Sequence, residues 1–189
     1  MAVYRPDSAK TPDKIRIIGS VGSGKSTLAR ALSDQLGIPY YELDNMVWRR
    51  TDHGDVKNSF EERDRILNGI LEQDRWIIEG VHYQWVQRSF ADADLIVYVD
   101  TPIWVRNYRI LKRFTVQKLG LAQGNYKQTF SMLRKMYQWN YRHAKKEKPE
   151  IMQIVEPYRG KLRMIRNSSV RQALMLPEKA RPRMAGKSQ

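Results

Sequence analysis

The sequence predicts an α/β protein of three layers, in which a parallel β-sheet lies between helices and a helical lid is added. Two observations carry this prediction. Five short runs of mainly β-branched and aromatic residues alternate with stretches of helical periodicity, and a glycine-rich loop joins the first run to the first helix. A length of 189 residues suits one such domain with a small insertion and is enough to bury a core.

The glycine-rich loop fits G-x-x-x-x-G-K-[ST], the pattern of phosphate-binding loops (P-loops). Glycines allow the backbone to fold into a cradle whose N–H groups point at an anion. Lys25 can reach the β- and γ-phosphates of a nucleotide, and the Ser26 hydroxyl can bind Mg²⁺. The residues expected to bind nucleotide here are Gly19, Ser20, Val21, Gly22, Ser23, Gly24, Lys25, Ser26 and Thr27.

The context of the loop supports this interpretation against an ordinary glycine-rich turn. Residues 15–18 are a β-branched run that predicts a buried strand, and residues 26–36 have the spacing of an amphipathic helix. Gly37 then predicts the end of that helix. Strand, loop and helix therefore follow in the order that a phosphate-binding loop requires, and the helix would place its positive end under the phosphates.

Composition argues against several classes of protein. The absence of cysteine excludes disulfides and Cys-ligated zinc, and three histidines without close spacing give no metal-site pattern. No stretch is apolar over the roughly 18 residues of a membrane span. The N-terminal residues are polar, unlike a signal peptide. We therefore expect a cytoplasmic protein without a membrane partner.

The net charge of +14 is concentrated in one segment. Residues 101–148 contain twelve Lys and Arg and a single acidic residue, Glu147. A polyanion is the natural partner of such a segment, either nucleotide phosphates or nucleic acid. The alternative is a solvated basic face without a specific role.

Two acidic residues follow predicted strands. Asp44 comes after the strand at residues 38–43, at the edge where open α/β sheets bind ligands, so it could orient an acceptor or hold Mg²⁺ through water. A helix N-cap or a turn would explain Asp44 equally well. Glu79 ends the strand at residues 76–80, where P-loop proteins carry an acid that orients Mg²⁺ or water; the alternative is a surface acid.

The segments between these strands give weaker signals. Residues 49–58 are polar and predict a loop. Ser59 and Glu62 form a capping box that begins an amphipathic helix. Residues 83–89 predict a helical or irregular segment, in which Trp85 belongs to the core rather than to a site.

The fourth predicted strand, residues 95–100, leads into a helix rich in arginine. Thr101 is expected to cap this helix, with proline at its first position. Arg106, Arg109 and Arg113 follow at spacings of three and four on one face. A shared anion would explain why three like charges lie together, because arginine binds phosphate bidentately; carboxylates from elsewhere in the chain are the alternative.

The C-terminal third predicts a break, two helices, a strand and a last helix. The break covers residues 118–126, and a helix over 128–146 follows with Phe130, Leu133, Tyr137, Tyr141 and Ala144 on its apolar face. Two helices joined by a glycine-bearing break would form a lid that excludes water during phosphoryl transfer. The remaining elements are a helix at 150–156, a strand at 161–165, a cap at 167–169 and a helix at 170–176.

Four stretches together resemble the adenylate-kinase-like P-loop kinases and, more narrowly, the bacterial DNA topology modulation proteins of that superfamily. They are residues 17–26, 40–44, 76–82 and 93–113, and the similarity covers roughly residues 14–176. We expect the folded domain to have these bounds, with an acceptor-side insertion at about 44–75 and a basic helical lid at about 114–148. Residues 1–13 and 177–189 are expected to be a flexible and a disordered tail.

The resemblance implies a strand order of 2-3-1-4-5 and a set of site residues. Arg109, seven residues after Pro102, corresponds to an arginine that stacks on adenine. Arg113, eleven residues after Pro102, corresponds to one that contacts phosphates. Glu79 corresponds to an Asp that helps to hold Mg²⁺, and Asn167 and Ser168 to the adenine-side loop. The segment after residue 43 does not match the acceptor motifs of adenylate kinases, so the acceptor does not follow from the resemblance.

The leading hypothesis is ATP- and Mg²⁺-dependent phosphoryl transfer to a small molecule, like that of a nucleotide or nucleoside kinase. Lys25 and Arg113 would neutralise the transferring group, Asp44 would orient the acceptor, and Arg134 or Arg142 would be added by the lid.

The alternative is a nucleotide-regulated DNA-binding protein that affects DNA topology. It is motivated by aromatic residues among the cations: Tyr126, Tyr137, Trp139 and Tyr141. Nucleotide binding without turnover is a third hypothesis.

Overall fold

A parallel sheet of five strands organises the computed structural model, which describes residues 11–51, 54–120 and 129–174. The strands in chain order are β1 (Lys14–Gly19), β2 (Tyr40–Glu42), β3 (Trp48–Thr51), β4 (Gly54–Lys57), β5 (Trp76–Glu79), β6 (Leu95–Val99) and β7 (Leu162–Ile165). The sheet has the order β2-β5-β1-β6-β7, and every pairing in it is parallel. Counted without β3 and β4, which form a separate hairpin, this is the expected order 2-3-1-4-5.

Helices pack on both faces of the sheet. They are α1 (Lys25–Leu36), α2 (Leu43–Val47), α3 (Phe60–Leu71), α4 (Gln87–Asp92), α5 (Ile103–Lys118), α6 (Phe130–Arg142), α7 (Lys148–Val155) and α8 (Val170–Leu174). Alternation along β1 sends Ile15 and Ile17 into a core with α1 and α8, and Ile18 into a core with α3, α4 and α7. Among the described helices, none combines the length and the apolar composition that a bilayer span needs.

The predicted loop at residues 49–58 is wrong, because β3 and β4 form an antiparallel hairpin there. The hairpin lies outside the main sheet, and its aromatic and β-branched side chains, Trp48 and Val56, are exposed. No buried face therefore imposes an apolar alternation on its sequence, which is the signal that predicts a strand. The second strand is also shorter than expected, since Leu43 already begins α2.

The predicted cap of α5 is wrong as well. Pro102 is the N-cap residue, and it is not the first helical residue. The Thr101 hydroxyl donates instead to the carbonyls of Ser23, at 2.9 Å, and Arg166, at 3.2 Å. Thr101 is buried between the glycine-rich loop and the end of β7, so its hydroxyl ties the two together rather than capping the helix. By contrast, Ser59 caps α3 as predicted and accepts from the Glu62 N–H.

One long helical segment replaces the two helices predicted at residues 128–146 and 150–156. A π-helical turn, His143–Glu147, joins α6 directly to α7. The predicted apolar face of α6 is wrong, since Phe130 and Tyr141 are 73% and 61% exposed. The buried residues of α6 are Met136 and Asn140. This inward face is partly polar, so hydrophobic periodicity does not mark it.

The predicted tails and the break lie largely outside the described residues, which exclude 1–10, 121–128 and 175–189. At the N-terminal side, the chain is already anchored one residue before β1. The Asp13 N–H donates to the Asp94 carboxylate at 3.0 Å, and the Asp13 carboxylate accepts from Arg75 at 3.1 Å. At the predicted break, α5 ends at Lys118, and Gly120 has a positive φ of 72°.

Candidate phosphate-binding and acceptor site

The glycine-rich loop connects β1 to α1 at the carboxyl edge of the sheet. Gly22 and Gly24 have φ values of 73° and 98°, in the left-handed region that favours glycine. A Cβ atom on Gly24 would lie 2.1 Å from the Ser168 hydroxyl oxygen, so the loop packs directly against the segment after β7. The two glycines thus have the left-handed backbone expected of a tight glycine-rich loop, and the loop lies against Ser168.

Lys25 supplies a buried cation at the base of the loop. Its ammonium group donates to the Ser20 carbonyl at 2.9 Å. Burial lowers the pKa of Lys25, while the negative charges of Glu79 and Asp44 raise it. A buried cation whose hydrogen-bond acceptor is a backbone carbonyl is suited to bind an incoming anion. The attraction between opposite charges is stronger in a buried site than in water.

Ser26 and Glu79 form the second part of the site. The Ser26 hydroxyl, in the first turn of α1, donates to Glu79 Oε1 at 2.7 Å. Glu79 is buried at the end of β5, the strand next to β1. A hydroxyl and a carboxylate are hard oxygen ligands of the type that Mg²⁺ prefers, so the pair fits the metal predicted for it. The sheet order explains the contact, since β5 is the neighbour of β1 and the loop begins where β1 ends.

A second carboxylate lies opposite Glu79. Glu42 on β2 is the direct register partner of Glu79, and its side chain lies 3.5 Å from Arg30. Burial and the negative charge of Glu79 raise the pKa of Glu42. Within the described ranges, no group of three or more His, Asp or Glu residues is placed to hold a metal ion. Mg²⁺ commonly takes one or two carboxylates from a protein and completes its shell with substrate phosphates and water.

The three arginines of α5 separate into two groups. Arg109 donates to the loop carbonyls of Gly22, at 3.3 Å, and Ser23, at 2.9 Å. Arg113 donates to the Met136 sulfur at 3.4 Å, and its charge lowers the pKa of Lys25. Arg106 is buried instead beside Tyr98 and Asp100, and burial lowers its pKa.

These contacts confine any shared anion to Arg109 and Arg113. Ser168 lies beside Gly24 as Arg109 does, and the neighbouring Asn167 side chain accepts from the Ser169 N–H at 3.2 Å. Asn167 therefore orders the turn that carries Ser168 to Gly24. The predicted nucleotide-side residues are thus gathered around one end of the loop.

Asp44 and His82 lie next to each other, beyond the ends of β2 and β5, on the side where the sequence predicts the acceptor. Asp44 lies in the first turn of α2, and its carboxylate is 3.5 Å from His82 Nε2. The His82 ring lies 5.6 Å from that of Trp85, and the Arg63 guanidinium lies 4.0 Å from the Trp85 ring centre. Trp85 is partly buried against the core, as predicted, and it also links His82 to α3.

The predicted lid arginines do not reach the loop in this structure. Arg134 is exposed, and Arg142 forms an ion pair with Glu147 at 3.1 Å. Asn140 of α6 reaches the loop instead, where its side-chain carbonyl accepts from the Ser20 hydroxyl at 3.1 Å. The contribution of either arginine to a closed lid stays a prediction.

Sequence reasoning did not single out three residues that lie at or next to this candidate site: Arg16, His82 and Asn140. Arg16 is fully buried in β1 and donates to the carbonyls of Ile17, Ile78, Gly80 and His82. It thereby fixes the turn after Glu79. Burial lowers its pKa to about 9, against the opposing effect of Glu79.

Two of these three residues leave a signal in the sequence. A charged residue inside a β-branched run should have marked Arg16, because charged groups are rarely buried without a role. His82, three residues after Glu79, follows the end of a strand at the ligand-binding edge. No comparable signal marks Asn140.

Comparison with known proteins supports this architecture. The AAA domain family matches residues 15–120, more than half of the chain. An uncharacterized protein YqaC of Bacillus subtilis (strain 168) is 32% identical over 100 residues, which cover 52% of this chain and 55% of that protein. Shikimate kinase 1 of Enterobacter sp. (strain 638) is 29% identical over 101 residues, covering 47% of this chain and 58% of that protein. The chain thus spans little more than half the length of these two curated relatives.

A solved structure extends the similarity in fold to most of the chain. The crystal structure of a gluconokinase from Sinorhizobium meliloti 1021 aligns with a TM-score of 0.52 over 88% of this chain and 91% of that one, at 16% identity. Together with the family match, this confirms the α/β fold and the expected adenylate-kinase-like P-loop superfamily. The narrower resemblance to DNA topology modulation proteins stays a prediction.

Proposed function

The chain belongs to the AAA domain family, and from this premise we propose that it transfers the γ-phosphoryl group of ATP, with Mg²⁺, to a small-molecule acceptor. The observation that carries the proposal is the 2.7 Å contact between Ser26 and Glu79 beside the buried Lys25. A buried cation and two hard oxygen groups beside the first turn of α1 would suit phosphate and a metal ion. Such a site suits a reaction that is catalysed mainly by positioning and electrostatics.

The loop residues would hold the triphosphate, and Ser26 with Glu79 would hold Mg²⁺ directly or through water. When bound, Mg²⁺ would neutralise phosphate charge and fix the phosphate geometry. Arg109 would lie beside the base, together with Asn167 and Ser168, and Arg113 beside the phosphates. We propose that residues 114–148 act as a lid, in which Arg134 or Arg142 moves to the phosphates on closure.

The acceptor would bind on the side of Asp44 and His82. Asp44 lies close enough to Lys25 for its charge to raise the pKa of the lysine, which supports a place near the transferring group. A carboxylate can accept the proton of an attacking hydroxyl, and His82, 3.5 Å away, can orient that carboxylate. A relative named shikimate kinase supports a small-molecule acceptor.

The experiment that tests the proposal is an acceptor screen with ATP and Mg²⁺. Nucleoside monophosphates, nucleosides and small alcohols are compared, with ATP hydrolysis in the absence of acceptor as the control. We expect at least one class to raise ADP formation well above hydrolysis, and Asp44→Asn to lower that rate by about 10²-fold while ATP affinity stays within threefold. ADP formation that no acceptor class raises above hydrolysis would contradict transfer to these acceptors.

Binding of nucleic acid is a second candidate, favoured by exposed aromatic side chains on the basic helices. Trp104 and Trp139 are 72% and 50% exposed, and Tyr141 is exposed, whereas Tyr137 is half-buried and donates to the Asn107 carbonyl. Tyr126 lies outside the described residues. Exposed aromatic rings among cations can stack on bases while the cations bind the backbone. The relatives found give no support to a role in DNA topology.

Salt dependence separates this candidate from a solvated basic face. If nucleic acid is a partner, we expect sub-micromolar binding of single-stranded DNA near physiological salt, with a steep negative slope of log affinity against log salt. Trp104→Ala should weaken that binding by about tenfold through lost stacking. Loss of binding at physiological salt would contradict the candidate.

A further inference from the structure

Asn140 is a buried amide that joins α6 to the glycine-rich loop and to α5. It is fully buried, although it lies on a helix whose outer surface is strongly basic. Its side-chain carbonyl accepts from the Ser20 hydroxyl at 3.1 Å, and its amide nitrogen donates to Asn107 Oδ1 at 2.6 Å. Both ends of the amide are thus used, as a buried polar side chain requires.

Ser20 is held at two points by these contacts. Its hydroxyl donates to Asn140, and its carbonyl accepts from the Lys25 ammonium group at 2.9 Å. The position of Ser20 therefore sets the position of the group to which the loop lysine donates. A displacement of Asn140 would move Ser20 and, through it, the cation at the base of the loop.

A π-helical turn, His143–Glu147, follows Asn140 and joins α6 to α7. A π turn inserts one extra residue and shifts the helical register beyond it. Before the turn, Met136 and Asn140 face inward; after it, Ile151 and Val155 enter the core. Regular α-helical spacing from Asn140 would bring residues near 151 and 154 inward, and the buried residues of α7 are Ile151 and Val155.

We propose that Asn140 is a positioning residue, which holds Ser20 and thereby aligns the glycine-rich loop and Lys25 for the triphosphate. The inference rests on the proposed nucleotide site and extends it to α6, a helix that the loop motif does not include. Through Asn140, the helix that follows the predicted break becomes part of the phosphate site. The role is positional because the amide acts on the nucleotide through Ser20.

A double-mutant cycle on ATP affinity tests this role without needing an acceptor. ATP is titrated calorimetrically into the wild type, Ser20→Ala, Asn140→Leu and the double variant, with Gln138→Leu as an exposed control on the same helix. Loss of one buried hydrogen bond should weaken ATP binding about tenfold in either single variant. The double variant should lose little more than the larger single effect, because both substitutions remove the same contact. Gln138→Leu should bind like the wild type.

The outcomes separate positioning from a merely structural role. If the losses of ATP affinity in the two single variants multiply in the double variant, the proposal is overturned. It is also overturned if Asn140→Leu lowers the thermal midpoint of unfolding but leaves ATP affinity unchanged. If Asn140→Leu does not fold, Ser20→Ala and Ser20→Thr decide: restored affinity in the threonine variant supports the contact, and equal affinities overturn it. Lys25→Ala in the same titration reports on the site itself. If Lys25→Ala binds ATP like the wild type, the proposed nucleotide site is wrong. If Lys25→Ala loses affinity but the losses of Ser20→Ala and Asn140→Leu multiply in the double variant, the nucleotide site stands and only the role of Asn140 is wrong.

Discussion

Replacing Lys25 with alanine is expected to abolish most phosphoryl transfer and to weaken ATP binding. The buried ammonium group lies at the base of the loop, where phosphate charge would gather, and its loss should cost about 2–4 kcal/mol of transition-state stabilisation. The rate constant for transfer should then fall by about 30- to 1,000-fold. The measurement is ADP formation with the best acceptor of the screen, together with ATP affinity by calorimetry.

Lys161→Ala is a matched control for this substitution. The Lys161 ammonium group also donates to backbone carbonyls, those of Ala91 and Ala93, both at 2.6 Å. These contacts precede β6 and therefore lie at the opposite edge of the sheet from the loop. Lys161→Ala should leave transfer and ATP affinity within about threefold of the wild type, although stability can fall. If Lys25→Ala binds ATP as tightly as the wild type, the assignment of the glycine-rich loop as the nucleotide site is contradicted.

Glu79→Gln is expected to raise the Mg²⁺ concentration needed for half-maximal activity by about 10- to 100-fold. Glutamine keeps an oxygen that can accept from Ser26 but removes the negative charge that attracts the metal. Affinity for ATP in the absence of Mg²⁺ should not fall, because the lost charge repels phosphate. A titration of activity with Mg²⁺ at saturating ATP measures the change.

Glu42→Gln is the control for Glu79, since the two residues face each other in register on neighbouring strands. Both carboxylates lie at the same edge, but the Glu42 carboxylate lies next to Arg30, whereas that of Glu79 accepts from Ser26. For Glu42→Gln, we expect the Mg²⁺ concentration needed for half-maximal activity to stay within about threefold of the wild-type value. Equal shifts in the two variants would show that general electrostatics, rather than a metal ligand, explains the effect.

The parts of the fold that the sequence predicts are those whose signals are local. The buried strands β1, β5 and β6 are mainly apolar runs, interrupted in β1 by Arg16, and the glycine-rich loop has fixed spacing. Strand order followed from the resemblance and not from the runs themselves. The hairpin of β3 and β4 escaped prediction because both of its faces are exposed, so that no apolar alternation marks it.

The residues that sequence reasoning missed or misassigned depend on tertiary contacts between distant residues. Thr101 has the side chain of a helix cap, yet its hydroxyl donates to carbonyls of two other segments. Asn140 is buried because the loop residue Ser20 lies against it, 120 positions earlier in the chain. Its helix has a polar inward face, and hydrophobic periodicity consequently selected the wrong side. Arg16 is buried for a similar reason, since the terminal nitrogens of its guanidinium donate to carbonyls within β5 and just after it.

The most direct measurement is a crystal structure of the protein with Mg²⁺ and a non-hydrolysable ATP analogue. We expect the phosphates within the loop, Lys25 moved from the Ser20 carbonyl to phosphate oxygens, and Mg²⁺ at the Ser26 hydroxyl with Glu79 bound directly or through one water. The base should lie beside Arg109. An analogue bound away from the loop, or a Lys25 that stays on the Ser20 carbonyl while the phosphates lie elsewhere, would contradict the account.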